Sequence, residues 1–440
     1  MQSKHVLGPI GLIIWFFFWN LGCSFSVGAQ ESGLNWTKVP ADTGPGWKQS
    51  CCLVTDDGRR LALKDKGNIV WEHEAANQDT GNICGRPVIA RSNDPLHPWI
   101  VAAGNGWNSE TGKAKVTVTD LATGETLATF VFDQTGENGI CSLTLVDGNG
   151  DGQADSGYGG DLRGNVWKFS LEGSCSQWRA LLGPFFTASC AGYRQPITAA
   201  PNVFRHCSRP GVLVCFGTGR LLDEQDSHDL RPQSLYAVWD RGDENWRLGT
   251  FDAATGIFNF PPGSIFSPSV TLLEQSFENV NDRYRTGTDF LPVWWKEDEP
   301  RDAAHLGWFI RLPGINGHAG ERITSKVLVR GGTLFALSFV PPVGAYVGES
   351  AVFVLRACVG GVFFRPVFDA NTDGEIDKND CVNGRSLAAR IFSGLLQDME
   401  LVEQGGKPVL QLSRQSGEKE TMRVNVPKEG IFFWQQLEGM

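Results

Sequence analysis

No Cys-x-x-Cys pair occurs in the 440 residues and the 7 histidines are scattered, which removes the ligand spacing of a zinc site. There is no Gly-rich phosphate loop and no nucleophile-elbow sequence, so phosphoryl transfer and serine-hydrolase chemistry lack their usual carriers. Basic residues are the minority, 39 Lys and Arg against 49 Asp and Glu for a net charge of −10. Without clustered cations the chain has no surface for a phosphate backbone, and nucleic acid is excluded as a partner. Helical periodicity is nearly missing. Its best instance runs from Ser386 to Leu401 through Leu387, Ile391 and Leu395, interrupted by Gly394, and predicts at most one helix.

What the sequence has instead is 53 Gly, 27 Phe and 15 Trp in a chain that is 41% hydrophobic, a composition for tight turns and aromatic packing. Short β-type segments bounded by Gly, Asn or Asp recur: 115–119, 126–132, 165–171, 212–216, 234–239, 308–312, 333–339 and 352–355. Hairpin signals repeat at Leu63-Lys64-Asp65 before Trp71, at Asp120 to Glu125 and at Asp252 to Gly256. Many short strands with spaced turns and aromatics predict an all-β fold, a β-propeller with inserted loops; a pair of β-sandwiches is the rival. The stretch from Phe277 to Arg301, rich in Asn, Asp, Arg and Glu, reads as a long inserted loop.

The N-terminus reads as an export signal. Lys4 and His5 precede an apolar run from Leu12 to Trp19, and small residues lead to Val27-Gly28-Ala29, so residues 1–29 are expected to be removed. A retained anchor fits less well, since the run is short for a bilayer span and ends at Asn20. Asn20 also stands where a lipoprotein signal ahead of Cys23 needs a branched aliphatic. No other segment is suited to cross a membrane. The mature chain, residues 30–440, keeps Cys51, Cys52, Cys84, Cys141, Cys175, Cys190, Cys207, Cys215, Cys358 and Cys381, an even set in an oxidising compartment, and disulfides are expected. Their connectivity is open. Cys175 with Cys190, Cys207 with Cys215, and Cys358 with Cys381 are close enough in sequence to clip loops.

The strongest chemical signal is the segment Asp147-Gly148-Asn149-Gly150-Asp151-Gly152-Gln153-Ala154-Asp155. Oxygen-bearing side chains alternate around a glycine turn, and Ca2+, a hard cation that takes about 6–8 oxygens, needs such an arrangement. Asp147, Asn149, Asp151 and Asp155 are the side-chain ligands expected, with the carbonyl of Gln153; Asp161 is an alternative closing group. The pattern returns at residues 369–380, with Asp369, Asn371, Asp373, the carbonyl of Glu375, Asp377, and Asp380 at the twelfth position that EF-hand loops use. Solvated Asx turns are the alternative for both. With no flanking helix pair, the ion is expected to stiffen a loop and not to open a groove.

Downstream of the first loop the chain continues Gly159-Gly160-Asp161-Leu162-Arg163-Gly164-Asn165-Val166-Trp167-Lys168-Phe169, and this stretch resembles the C-terminal propeller of the type IV pilus PilC/PilY tip adhesins. Gly104-Asn105-Gly106-Trp107-Asn108-Ser109, Gln195 to Pro201, Phe216-Gly217-Thr218-Gly219-Arg220, Gln233 to Val238 and Gly320-Glu321-Arg322 extend the resemblance over most of the mature chain. It implies a modified seven-bladed propeller and a calcium loop at 147–155. It also implies a non-enzymatic role in pilus extension, retraction and surface attachment, with minor pilins or the pilus machinery, and host or abiotic surfaces, as partners. The location implied is the periplasm, the outer-membrane surface or the pilus tip. Such proteins generally carry a long N-terminal region, often with a von Willebrand factor A-like domain, and here only the signal and a short lead precede the propeller.

Arg241-Gly242-Asp243 spells an integrin tripeptide, with a solvated turn as the ordinary reading, and Asn35-Trp36-Thr37 is a sequon. Adjacent Cys51 and Cys52 form a vicinal disulfide or pair separately. They also raise an enzymatic rival, a quinone-dependent propeller dehydrogenase, and Trp71 after Lys66-Gly67-Asn68 faintly resembles its blade signature. A secreted propeller with no pilus role is the remaining alternative.

Overall fold

The computed structural model describes the backbone of strands Leu34–Lys38, Cys51–Thr55, Arg60–Lys64 and Asn68–His73, and residues 78–426 apart from 244–245, 288–290, 297–303 and 415. The expected signal peptide at 1–29 lies outside the described residues, as do the side chains of Cys51 and Cys52 and those of the Asn35-Trp36-Thr37 sequon.

The described chain is all-β, with helix confined to the 3-10 turns Cys175–Gln177, Glu224–His228 and Lys378–Asp380. Its strands form six sheets, of which the first two are simple four-stranded blades in chain order. The first is built from the four strands between Leu34 and His73, the second from Val88–Arg91, Trp99–Gly104, Ala114–Asp120 and Thr126–Asp133. The third starts with Ile140–Val146, Ser156–Asp161 and Asn165–Ser170 and runs through Phe186–Cys190 to the hairpin Gly249–Asp252/Ile257–Asn259. The fourth orders Asn202–Arg205, Val212–Gly217, Ser234–Asp240, His305–Arg311 and Thr271–Glu274. The fifth joins Leu328–Arg330, Thr333–Val340, Glu349–Arg356 and Ala389–Ser393 to the hairpin Phe277–Asn279/Tyr284–Gly287. Leu396–Gln404, Lys407–Arg414 and Lys419–Arg423 make the sixth.

The innermost strand Ile140–Val146 of the third sheet lies against both Val88–Arg91 and Asn202–Arg205, and the latter lies in turn against Leu328–Arg330. First strands meeting first strands is how blades gather about a propeller axis. Sheets stacked between neighbours have both faces covered, which is why Ser234–Asp240 and Thr333–Val340 are buried at every position and read as continuous apolar runs. The outer strand Thr126–Asp133 is mostly exposed or half-buried. Aromatic rings fill the space between the third and fourth sheets: Phe186 and Phe216 pack on Tyr236, and Tyr236 on Phe309. Gly157 is required within the third sheet, because a Cβ on it would lie 2.1 Å from the ring of Phe169, which packs on Phe130 of the second.

All eight expected strands and all three expected hairpins are present. Three other expectations are corrected. The helix at 386–401 is instead two strands, Ala389–Ser393 and Leu396–Gln404, parted by Gly394 at φ +77; pairing of Ala389–Ser393 with Glu349–Phe353 outweighs the helical spacing. The long insertion at 277–301 opens with the hairpin that completes the fifth sheet. Among the described residues the disulfides are Cys84–Cys141 and Cys207–Cys358, which join segments 57 and 151 residues apart and clip no short loop, while Cys175, Cys190, Cys215 and Cys381 are free thiols.

Candidate metal centre

The first acidic loop joins the two innermost strands of the third sheet, Ile140–Val146 and Ser156–Asp161. Asp147 and Asp155 are buried at its base; Asn149 and Asp151 are exposed at its tip. Asp147 accepts the N–H of Gly150 at 2.6 Å on Oδ1 and of Gly152 at 2.8 Å on Oδ2. Asn149 Oδ1 accepts from Asp151 N and Asp151 Oδ1 from Gln153 N, at 2.9 and 2.8 Å. Asp155 closes the ring, its Oδ2 taking the N–H of Gly148 at 2.7 Å and of Asn149 at 3.2 Å. Each side chain of the alternating set thereby turns at least one oxygen toward the backbone of the loop.

Asp161 is not part of this ring. It is fully buried at the far end of the strand, where Oδ2 accepts from Asn138, Asn165 and Trp167 side chains at 2.7–2.9 Å and Oδ1 from the N–H of Arg163 and Asn165. Burial raises its pKa against these bonds. It pins a hairpin turn, so Asp155 is the closing group.

The second loop repeats the alternating bonds of the first. Asp369 Oδ2 accepts from Gly374 N, Asn371 Oδ1 from Asp373 N, and Asp373 Oδ1 from Glu375 N, each at 2.9 Å. Asp380, 2% exposed, plays the part of Asp155: its Oδ1 takes the N–H of Ala370 at 2.7 Å and of Asn371 at 3.2 Å. Asp377 caps the 3-10 turn that delivers Asp380.

Residues that sequence reasoning missed hold the loops from outside. Asn93, on the second sheet's first turn, donates to the Ala154 carbonyl at 2.9 Å and to Asp155 Oδ1 at 3.1 Å. The second loop is held by Arg423, whose carbonyl takes Asp369 N at 3.1 Å and whose guanidinium reaches the Gly374 carbonyl, and by Tyr284, whose hydroxyl donates to the Ala370 carbonyl. Nothing local in the sequence links these residues to the loops. Among the described residues, the one set of His, Cys, Asp or Glu with three ligand atoms within 4.8 Å of one another is Asp94, His97 and Cys175. Two of those groups already have partners: Asp94 Oδ2 accepts from Cys175 N at 2.8 Å, and His97 Nδ1 lies 3.0 Å from Asp120. The carboxylates of the acidic loops are spaced more widely, with Asn149 and Asn371 alternating among them. The Arg241-Gly242-Asp243 tripeptide is an exposed turn, with Arg241 Nε 3.5 Å from Asp243 Oδ2.

Fold and loops together define a β-propeller carrying paired Asp-rich turns at the rims of its blades. Residues 65–257 match the PilY1 beta-propeller domain family. The Type IV pilus biogenesis factor PilY1 of Pseudomonas aeruginosa (strain UCBPP-PA14) is 28% identical over 421 residues, covering 85% of this chain and 35% of its own length. A PilY1 homolog of Xylella fastidiosa (strain Temecula1) is 30% identical over 350 residues, covering 72% of this chain and 21% of its own. The crystal structure of the Pseudomonas aeruginosa PilY1 C-terminal domain superposes with a TM-score of 0.71 over 86% of this chain and 81% of that one, at 24% identity. Through its propeller the chain is similar to the PilY1 family. It spans about a third of the length of the Pseudomonas relatives.

Proposed function

We propose that this propeller is a calcium-binding, pilus-associated part that regulates type IV pilus assembly and retraction and surface adhesion, by binding and not by catalysis. Similarity to the PilY1 proteins supports the pilus association and, with it, a place in the cell envelope. The observation that carries the calcium reading is the first loop, where Asp147, Asn149, Asp151 and Asp155 are already arranged around one turn with Gln153 following. The donor set is all oxygen, as a calcium site requires. Asn93 ties Asp155 to the neighbouring blade, so an ion that fixes Asp155 also stiffens the joint between the second and third sheets. A stiffened rim is the surface on which minor pilins, or host and abiotic surfaces, are then engaged.

Calorimetric titration of the purified chain tests the site, with affinity expected in the range of extracellular modules, about 10⁻⁴ to 10⁻³ M. Asp151 is exposed and bonded only inside the loop, so Asp151→Ala spares the fold while removing a ligand. A variant that binds as the wild type does sinks the site. The same substitution in the cell, scored by counting surface pili with and without calcium, tests the regulatory role; unchanged piliation rejects it.

A further inference from the structure

The second loop differs from the first at its opening aspartate. In the first, all four carboxylate oxygens of Asp147 and Asp155 accept hydrogen bonds. In the second, Asp369 is 5% exposed and its Oδ1 is buried with no hydrogen-bond partner. Its Oδ2 reaches across to Gly374 N at 2.9 Å, so the carboxylate lies over the interior of the loop. A charged oxygen held away from water with nothing electropositive against it is costly, and folded proteins rarely leave one so. The nearby cation, Arg423, donates instead to the Gly374 carbonyl. The rest of the loop offers further oxygen groups in Asn371, Asp373, Asp377 and Asp380, and it carries five acidic residues from Asp369 to Asp380 against one lysine.

The position of the loop gives such a site a task. Its first residue pairs with Arg423 of the sixth sheet's last strand, Phe368 forms a bridge with Val424, and Asn425 N bonds the Val367 carbonyl at 2.8 Å. On its other flank the Tyr284 hydroxyl, from the fifth sheet, bonds Ala370. The three-stranded sixth sheet is short, and beyond its packing on Phe335, Leu337, Val352 and Val354 this loop is a polar tie to the fifth.

We propose that residues 369–380 bind a hard divalent cation, calcium, through Asp369 Oδ1, Asn371, Asp373, the Glu375 carbonyl, Asp377 and Asp380, and that the ion docks the sixth sheet onto the fifth. This site is independent of the first loop and of the pilus reading. Hydrogen exchange on the full chain, with calcium and after chelation, tests it. Chelation is expected to lower amide protection in Leu396–Arg423 at least tenfold, and added calcium to restore it. Asp369→Asn keeps the side-chain size and the bond to Gly374 and is expected to abolish that response, while the response of Ile140–Asp161 to calcium persists. Asp373→Ala, at an exposed position, is expected to do the same and serves where the buried substitution impairs folding. If protection of Leu396–Arg423 ignores calcium in the wild type, or if Asp373→Ala responds as the wild type does, the proposal is overturned. Failure of the first loop alone appears separately, as loss of the response at Ile140–Asp161 in the wild type.

Discussion

Glu321, in the motif Gly320-Glu321-Arg322, is expected to be worth more to the fold than any group in the acidic loops. Its carboxylate and the Arg285 guanidinium are both fully buried, with Arg285 Nη1 2.7 Å from Oε1 and Nη2 3.1 Å from Oε2. Glu321 also accepts from Ser338 Oγ at 2.5 Å and Gly314 N at 3.0 Å, and Arg285 donates to Asn279 Oδ1 at 2.9 Å and to the Gly314 carbonyl. The pair fastens the fifth sheet to the loop that leaves the fourth. Glu321→Gln keeps the shape and removes the charge, leaving a guanidinium without its counter-ion where no water reaches. Breaking a buried pair from one side costs about 3–5 kcal/mol, or between two and four powers of ten in the folding constant. Arg285→Met alone strands the carboxylate at similar cost. In the double variant Arg285→Met/Glu321→Leu no charge is left buried, only neutral groups on Gly314, Ser338 and Asn279, so its loss should fall short of the sum of the singles by more than about 1 kcal/mol. Urea unfolding followed by tryptophan fluorescence measures all three. A shift below about 1 kcal/mol for Glu321→Gln, or strict additivity in the double, would refute the reasoning.

His206 is buried between the Trp239 and Trp295 rings, its Nδ1 accepts the N–H of Arg209 at 2.8 Å, and burial, aided by the Arg209 charge, lowers its pKa from 6.5 to about 4. The folded chain therefore takes up that proton less readily than the unfolded one: stability is full above about pH 6.5 and falls by about 3 kcal/mol by pH 4. His206→Gln should flatten that part of the urea-midpoint profile. Peptide mapping without reduction should recover Cys84–Cys141 and Cys207–Cys358 and none of the short-range pairs. Replacing Cys207 and Cys358 together by Ser should cost about 2–5 kcal/mol in the same unfolding assay.

The strands and hairpins were legible because they are local: Asp120 to Glu125 forms a turn whatever surrounds it, its Asp120 Oδ1 taking the N–H of Ala122 and Thr123. The disulfides were not, because nearness in sequence is a poor guide when successive strands step outward from an axis. Cys215 sits mid-strand opposite Asn202, fully buried, while Cys207 lies past the end of the neighbouring strand and meets Cys358 of the next sheet. The same distinction sorts the motifs that carried the family resemblance. Asn105 accepts the N–H of Lys115 and of Ile140 and donates to the carbonyls of Asp79 and Lys113. Gln195 bonds Tyr236, Ser234 and the Pro232 carbonyl. Arg322 gathers the carbonyls of Arg220, Asp226 and Asp229. These are buried polar joints, several of them between sheets, and their partners are supplied by segments up to 102 residues away. The sequence marks such residues without saying what they hold.

The acidic loops lie between these cases, and comparing them separates what is local from what is not. Alternation at the third and fifth positions produces the same hydrogen bonds in both, although one loop closes at its ninth residue and the other at its twelfth. The closing position follows from what the chain does next. After Asp155 the strand begins at once, with Asp155 N bonded to the Val146 carbonyl and Ser156 paired with Val146, so no later residue is free to fold back. After Asp377 no strand follows; the chain takes the 3-10 turn Lys378–Asp380 and returns the Asp380 carboxylate to the N–H groups of Ala370 and Asn371. A skeleton set by spacing, with a closing carboxylate set by context, explains why the turn geometry of each loop follows from its own residues, whereas Asn93 and Arg423, which tie each loop to a neighbouring strand, could not be read there.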